Sequence, residues 1–271
     1  MSKKQAHKKS SKASSSETAE VIDIIKFPRT SHLFSTNKEV TRDDLVLDEK
    51  DLQRTFYAPQ NAPYITLEEK VDGSNLGISL DENFKLRCQN RSHYVTCQSA
   101  SQFKTLQNWL DEHSAELFSL LSDNNFGYIL YGEWMYAKHS IHYDRLPDTF
   151  IAFDVYDKHA QSFVAVQRRN QLLQQHCPTI AIVESILFDY HTLGCLSKDY
   201  LMELLNNYKT HYGNNSEQPI EGVYVRIDDA QGNLIKERAK VVRSDFIQAI
   251  DTHWSTMELT KNVVDFSLKK Y

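Results

Sequence analysis

Seven short runs of β-branched and aromatic residues, most of them bounded by Gly, Asn or Asp, constrain the fold more than any other feature. The predicted strands span residues 64–70, 75–80, 85–90, 127–133, 149–156, 222–227 and 234–240. Three further segments, residues 101–121, 165–176 and 197–208, repeat apolar residues at helical spacing. Because strands and helices alternate irregularly, the pattern predicts an α+β domain with antiparallel sheets and flanking helices.

Composition narrows the class of protein. The sequence has 271 residues, of which 41% are hydrophobic and 25% charged, enough for one large domain with a sizeable core. Its net charge of −5 excludes a protein that binds nucleic acid by overall positive charge, so a polyanion requires a local patch. The 4 cysteines form no C-x-x-C pair and no run of about 18 residues is apolar, which predicts an intracellular, cytoplasmic or nuclear protein without a membrane span.

The expected organisation has three parts. Residues 1–20 are rich in Lys and Ser and nearly free of large apolar side chains, so we expect a disordered tail whose lysines are free to touch nucleic acid. Residues 21–250 contain no Gly/Ser linker and no internal repeat, which predicts one domain. Residues 251–271 are expected to form a short C-terminal helix or tail.

The stretch TLEEKVDGSNLGISL places Lys70 at the end of a predicted strand, with Asp72 and Gly73 immediately after it. One interpretation is a charged hairpin tip. The other is a nucleophile, since a lysine attacks as the neutral amine and burial or a neighbouring cation can lower its pKa. Gly73 is compatible with the second interpretation because a glycine lets a ligand approach the backbone closely, but this stretch alone is more typical of a hairpin tip.

Carboxylates recur inside other apolar strands, where an unpaired charge is costly. ILYGEWMY contains Glu133, FIAFDVYD contains Asp154 beside Phe153, and IEGVYVRI opens with Glu221. A cationic stripe follows in LIKERAKVVRSDF, where alternate residues of one strand point to one face: Lys236, Arg238 and Lys240. Together these features favour a site that binds a nucleoside triphosphate with a divalent metal. They comprise a reactive lysine, half-buried carboxylates, an aromatic ring for stacking and a cationic stripe.

The segments EEKVDGSN, YGEW, FIAFDV, EGVYVR and ERAKVVR, in this order, resemble the ordered motifs of the covalent nucleotidyltransferases. That superfamily contains DNA ligases, RNA ligases and mRNA capping enzymes, and the sequences of these motifs are most similar to those of the RNA ligase 2-like branch. FPRTSHL and YAKHSIHYDRLPDTF are also similar to segments of compact RNA ligases, so the resemblance spans about residues 27–247. It implies an ATP-grasp-like ligase adenylation fold with antiparallel sheets and flanking helices.

The resemblance implies an ATP-dependent RNA ligase that acts in RNA repair and joins 5′-phosphate to 3′-hydroxyl RNA ends through a lysyl-AMP intermediate. ATP and Mg²⁺ or Mn²⁺ are the implied cofactors. The alternatives are a DNA ligase or guanylyltransferase of the same fold, a nucleotide- or RNA-binding protein without catalysis, and a protein-modifying adenylyltransferase.

The resemblance also implies roles for individual residues. Lys70 would be the nucleophile, with Asp72 orienting it or assisting a metal. The nucleotide-binding set would comprise Glu69, Lys70, Glu133 at the ribose hydroxyls, Phe153 on the adenine, Glu221 as metal ligand, and Arg238 and Lys240 at the α-phosphate. Residues that act on the RNA ends would be Asn75, Arg91, Arg29 and His32.

Two departures from the family pattern matter. The usual K-x-K of the last motif has two possible registers here, Arg238 with Lys240 or Lys236 with Arg238, and an arginine changes the geometry. Residues 241–271 are too few for the OB-fold that DNA ligases and capping enzymes carry after this motif. We therefore expect no OB-fold, with the RNA held by the core, the basic tail or a protein partner.

Overall fold

The computed structural model describes residues 24–35, 45–214, 217–243 and 259–269. Its strands are β1 (Ile65–Lys70), β2 (Ser74–Leu80), β3 (Leu86–Gln89), β4 (Tyr94–Val95), β5 (Tyr128–Trp134), β6 (Phe150–Asp157), β7 (Ser162–Phe163), β8 (Ala181–Ile182), β9 (Ser185–Ile186), β10 (Gly222–Asp228) and β11 (Ile235–Val242). Its α-helices are α1 (Glu49–Asp51), α2 (Leu106–Glu112), α3 (Ser114–Phe126), α4 (Val166–His176), α5 (Tyr190–Leu193) and α6 (Lys198–Asn207). The seven predicted strands are confirmed to within about two residues at each end, and the α+β class is confirmed with them.

Two sheets face each other across a cleft. The small sheet has the antiparallel order β11-β10-β1-β9, and the large sheet has the order β4-β3-β2-β5-β6-β7, with β8 added parallel to β6. The β1–β2 connection carries the backbone from the small sheet to the large sheet, and the β8–β9 connection carries it back. Residues at the β1–β2 connection therefore lie where the chain crosses from one sheet to the other.

Each sheet has an outer core, and a third core fills part of the space between the sheets. The outer face of the small sheet packs on α6 and on the helical turn Leu52–Phe56. The large sheet packs on the helices α2, α3 and α4. The third cluster combines residues of β5 and β6 with residues of the terminal segments and connecting loops, among them Phe27, Tyr143 and Tyr212.

The predicted helix over residues 101–121 is wrong in its continuity. The structure divides it into a 3-10 turn, Ser101–Phe103, and the helices α2 and α3. The division falls at His113, whose buried ring packs on Trp109 with centroids 4.5 Å apart. Both rings face the buried carboxylate of Asp148, which accepts a hydrogen bond from Trp109 Nε1 at 3.0 Å. This polar anchor redirects the chain, and apolar periodicity does not reveal it.

The other two predicted helices are confirmed. α4 begins one residue after the predicted start. α6 has Ser197 as its N-cap, with the hydroxyl accepting from the backbone N–H of Tyr200 at 3.2 Å.

Both terminal segments contact the cleft. Ser31 and Leu33 pair through their backbones with Lys240 at the edge of β11, with N···O distances of 2.9 and 2.8 Å. Residues 259–269 run in extended conformation beside the loop that follows β5 and end in one 3-10 turn, Phe266–Leu268. The predicted tail, residues 1–20, lies outside the described residues, as do residues 251–258 of the expected C-terminal helix or tail. No helix in the described part of the chain is long and apolar enough to cross a membrane.

Candidate active site between the two sheets

Lys70 and Glu221 meet where two paired strands end. Lys70 is the last residue of β1 and lies in register with Gly222, the first residue of β10. Glu221 immediately precedes that glycine, and both of its carboxylate oxygens lie 2.5 Å from Lys70 Nζ. Gly222 permits the close pairing of β10 with β11, because a Cβ there would lie 2.3 Å from the Val241 carbonyl oxygen. The sheet register, and not flexible loops, therefore brings the lysine and the carboxylate together.

The electrostatic balance keeps this lysine protonated at rest. Burial alone would lower the pKa of Lys70, but the negative charge of Glu221, with smaller contributions from Asp72 and Glu133, raises it above its ordinary value. Burial in turn raises the pKa of Glu221 to about 7, against the opposing effect of Lys70. A neutral amine at Lys70 therefore requires that the charge of Glu221 be satisfied by another cation.

Glu133 forms the opposite wall of the site. It lies on β5 beside Asn75 of β2, and its Oε1 accepts a hydrogen bond from the backbone N–H of Gly73 at 3.2 Å. Burial raises the pKa of Glu133 to about 8. Gly73 has no room for a side chain, since a Cβ would lie 2.8 Å from both Met135 Sδ and the Trp134 carbonyl oxygen. The glycine that follows Lys70 thus brings the backbone onto the Glu133 carboxylate.

Asp72 holds a loop and makes no hydrogen bond to the lysine. Its carboxylate accepts from the backbone N–H groups of Ser140 and Ile141, at 2.6 and 3.2 Å. Its own backbone N–H donates to the Tyr143 hydroxyl at 3.0 Å. Asp72 therefore fixes the loop after β5 against the β1–β2 connection, and it acts on Lys70 through its charge.

The cationic stripe of β11 divides between two environments. Lys240 lies in register with Tyr224 of β10, and its charge opposes the raised pKa of Glu221. Arg238 instead donates from Nη1 to the Asp154 carboxylate of the large sheet at 3.0 Å. Lys236 lies farther along the strand and donates to Asn61 Oδ1 at 3.3 Å. Of the two registers left open by the sequence, the geometry thus favours Arg238 with Lys240.

An ion network joins the two sheets behind the site. Arg226 of β10 contacts Glu68 of β1 at 2.5 Å and Asp154 of β6 at 2.6 Å. Arg169 of α4 contacts the other oxygen of Glu68 at 2.6 Å and donates to the Phe153 carbonyl. Sequence reasoning missed Glu68, Arg169 and Arg226. Strand alternation offered a signal for two of them, because Glu68 lies two residues from Lys70 in β1 and Arg226 lies two residues from Tyr224 in β10.

Several predicted residues lie around this centre. Phe153 is buried on the cleft side of β6, with its ring centroid 5.4 Å from that of Phe27. Arg91 is close enough for its charge to lower the pKa of Glu133 against the effect of burial. The side-chain oxygen of Asn75 is buried and has no hydrogen-bond partner among the described residues. His32 is buried where the N-terminal segment pairs with β11, whereas Arg29 is exposed on that segment.

Glu69 is not brought to the Lys70 face of β1. Its side chain points to the opposite face and accepts from the Thr210 hydroxyl at 2.5 Å and from the His211 backbone N–H at 3.3 Å. Burial there raises the pKa of Glu69 to about 7. Adjacent residues of a strand point to opposite faces, so the assignment of the Glu69 side chain to nucleotide binding does not agree with the geometry.

The donors of the site suit a partly hydrated divalent cation. No group of three His, Cys, Asp or Glu side chains is arranged as a metal cage among the residues that the structure describes. Glu221, Asp72 and Glu133 nevertheless all raise the pKa of Lys70, so three carboxyl groups lie within electrostatic reach of this one lysine. Mg²⁺ typically takes one or two carboxylates and completes its shell with water and phosphate oxygens. Glu221 therefore fits a metal ligand that acts together with a bound phosphate.

Comparisons with known proteins agree with this architecture. The family model described as RNA ligase matches residues 63–242. A search of curated protein sequences finds no match. Among solved structures, a Naegleria gruberi RNA ligase with PPi is similar, with a TM-score of 0.53 and 15% identity over 84% of this chain and 63% of that one. An unliganded point mutant of the same ligase has a TM-score of 0.51 and 16% identity over 82% of this chain and 62% of that one.

A third similar structure, another point mutant of the Naegleria ligase with ATP and Mn, covers 69% of this chain and 52% of that one at 14% identity and a TM-score of 0.48. The chain thus spans about half to 63% of the length of these solved structures. At these identities the structural likeness shows the fold alone. The family model, in contrast, covers most of the chain and includes the strands that carry Lys70, Glu133 and Glu221. The chain belongs to the RNA ligase family.

Proposed function

We propose that this protein is an ATP-dependent RNA ligase that joins 5′-phosphate and 3′-hydroxyl RNA ends in RNA repair, through AMP linked covalently to Lys70. The observation that carries the proposal is the placement of Lys70, which is buried at a strand end with Glu221 within 2.5 Å and Glu133 opposite. Membership of the RNA ligase family and the similarity to a ligase solved with PPi support it.

In the first step the Lys70 amine attacks the α-phosphorus of ATP. The Nζ–P bond forms, the bond to the bridging oxygen breaks, and pyrophosphate leaves. The amine must lose its proton first, and the charge of Glu221 opposes that loss. Glu221 would hold a divalent cation, which would supply the compensating positive charge when bound. Lys240, on the edge strand beside this pair, contributes positive charge toward the α-phosphate.

Other residues of the cleft would hold the nucleoside. The buried carboxylate of Glu133 accepts hydrogen bonds from the ribose hydroxyls in place of the Gly73 N–H. Phe153 offers the ring on which the adenine stacks, at the cleft side of the large sheet. Desolvation within the cleft strengthens each of these polar contacts relative to the same contact in water.

The RNA ends react in the next two steps. A 5′-phosphate oxygen attacks the lysyl-AMP phosphorus, the Nζ–P bond breaks, and the RNA carries AMP on its 5′ end. The 3′-hydroxyl of the second end then attacks the 5′-phosphate, a phosphodiester forms and AMP leaves. We assign Asn75 to these steps, and the assignment is supported by its side-chain oxygen, which is buried near Glu133 without a hydrogen-bond partner among the described residues. Arg91 supplies positive charge at the same edge of the site.

The test separates the steps. Purified protein is incubated with Mg²⁺ and labelled 5′-phosphate RNA annealed across a nick, with DNA of the same sequence and single-stranded RNA in parallel reactions. We expect sealing of RNA with ATP, and loss of sealing in Lys70→Ala. Pre-adenylylated RNA should be sealed by Lys70→Ala but not by Asn75→Ala. Sealing of DNA with equal efficiency, or transfer of GMP instead of AMP, would favour the other enzymes of this fold and contradict the proposal.

A further inference from the structure

The N-terminal segment 24–35 passes through the cleft and buries an aromatic ring between the sheets. The ring of Phe27 has centroid distances of 5.1 Å to Tyr131, 5.4 Å to Phe153 and 5.3 Å to Phe163. Only 5% of Phe27 is exposed. The contact with Phe153 is edge-to-face at 75°, so Phe27 fixes the plane of the ring on which a base would stack.

Arg238 packs on the same aromatic cluster. Its guanidinium carbon lies 4.5 Å from the ring centroid of Phe27 and 4.1 Å from that of Phe163. Its Nη1 donates a hydrogen bond to the Asp154 carboxylate. A planar guanidinium stacks on two rings and still donates in its plane, which the ammonium of a lysine does not do. This geometry accounts for an arginine at the position where the family pattern usually has a lysine.

The segment is held on both sides of Phe27. The Ile25 carbonyl accepts hydrogen bonds from the Tyr131 hydroxyl and from Gln89 Nε2, each at 2.7 Å. On the other side, Ser31 and Leu33 pair with the backbone of Lys240. A ring fixed by the chain on both sides forms part of a wall, whereas a removable plug would need one end free.

We propose that Phe27 and Arg238 form the inner wall of the purine pocket, and that Arg238 is a positioning residue that acts through Phe27 and Phe153 and not on the α-phosphate. Lys240 is then the β11 cation that faces the phosphate. The inference rests on the proposed function, since it concerns the nucleotide pocket of the same site. It assigns a binding role to the N-terminal segment, which precedes the region matched by the family model.

The test compares Phe27→Leu, Arg238→Lys and the double variant with the wild type. Binding is measured by equilibrium dialysis with labelled α,β-methylene-ATP, which cannot transfer AMP. Single-turnover formation of lysyl-AMP is followed separately as a function of ATP concentration. Phe84→Leu is the control, because it makes the same change at a phenylalanine on the exposed surface, where Phe84 packs on Phe126 with centroids 4.9 Å apart. Phe27→Tyr retains the ring and tests rescue.

We expect Phe27→Leu and Arg238→Lys each to weaken binding of the analogue about tenfold, the loss of one stacked aromatic or cation–π contact. The double variant should be little worse than either single variant, because both changes disrupt one cluster. The rate at saturating ATP should stay within about threefold of wild type, Phe27→Tyr should bind as wild type does, and Phe84→Leu should change neither quantity.

Three results from the variants would overturn the inference. The first is tighter binding by Phe27→Leu, which would make the ring a plug, and the second is unchanged binding in both single variants. The third is a loss of saturating rate in Arg238→Lys, which would place Arg238 on the phosphate. Wild-type protein that binds the analogue but forms no lysyl-AMP would contradict the proposed function alone. Wild-type protein that does not bind the analogue would overturn both.

Discussion

Replacing Arg226 by methionine tests whether the buried ion network holds the two sheets together. Arg226, Glu68 and Asp154 are each about 1% exposed, and Arg226 contacts the two carboxylates at 2.5 and 2.6 Å. Removing one partner of a buried pair typically costs about 3–5 kcal/mol, because it leaves a buried charge uncompensated. Glu68 keeps Arg169 and Asp154 keeps Arg238 in the variant, so we expect the lower end, about 3 kcal/mol.

The assay is chemical and thermal unfolding of wild type and Arg226→Met at several pH values. For a domain of this size, about 3 kcal/mol corresponds to a decrease in Tm of roughly 6–12 °C. Burial raises the pKa of Glu68, but Arg169 and Arg226 outweigh burial and hold it below its ordinary value. The stabilisation from Glu68 is therefore present above the unfolded pKa of about 4.3 and is lost as the pH falls through the lower folded pKa. The deficit of the variant should shrink as the pH falls below about 4.3.

Arg54→Met is the matched control, because Arg54 pairs with Asp51 at 2.8 Å on the exposed surface. Such a pair contributes roughly 0–1 kcal/mol. If Arg226→Met destabilises the protein no more than Arg54→Met at pH 7, the reasoning about the network is refuted.

Three further changes test other parts of the site. Wild-type protein should lose stability as the pH rises from about 4.3 to 8, because burial raises the folded pKa of Glu133 to about 8 and the unfolded state ionises first. Glu133→Gln should abolish this loss. Urea unfolding of both proteins at pH 5 and pH 8 measures the effect, and an unchanged pH dependence in the variant would contradict it. Asn262→Ala should slow lysyl-AMP formation and release the loop after β5, since the Asn262 side chain accepts from the Tyr143 N–H at 2.9 Å and donates to the Met135 carbonyl at 2.8 Å. Hydrogen exchange of residues 137–143 measures this release. Unaltered protection of these residues would show that the Asn262 side chain is dispensable. Thr210→Val should destabilise the protein by about 1.5–3 kcal/mol, because the buried Glu69 carboxylate loses the hydroxyl that donates to it at 2.5 Å. Urea unfolding measures this change in the free energy of unfolding. A change below about 0.5 kcal/mol would contradict the prediction.

Sequence reasoning recovers the parts of the site that depend on strand periodicity. The ends of β1, β5, β6, β10 and β11 follow from runs of β-branched and aromatic residues, and the antiparallel pairing of β1 with β10 brings Lys70 to Glu221. The same periodicity places Glu69 on the opposite face of β1, although the resemblance to the family included it among the nucleotide-binding residues.

What the sequence did not reveal depends on contacts between distant segments. The ion pair of Arg226 with Asp154 joins two sheets, and the interruption at His113 depends on a carboxylate from another loop. The role of Asp72 as a loop anchor depends on the backbone of Ser140, which no local pattern specifies. Phe27 could be singled out only as part of FPRTSHL, since its aromatic partners lie on the large sheet.

The most direct test of the central claim is covalent labelling of Lys70. Wild type, Lys70→Arg and Lys50→Arg are incubated with Mg²⁺ and α-labelled ATP, with labelled GTP in parallel, and separated on a denaturing gel. Lys70→Arg keeps a cation beside Glu221, and Lys50 is an exposed lysine of α1 that serves as the matched control. The account predicts an acid-labile label with ATP on wild type and Lys50→Arg, mapped to the Lys70 peptide, and none on Lys70→Arg. Label that persists in Lys70→Arg, or no label on folded wild-type protein shown by mass to carry no AMP, would contradict it.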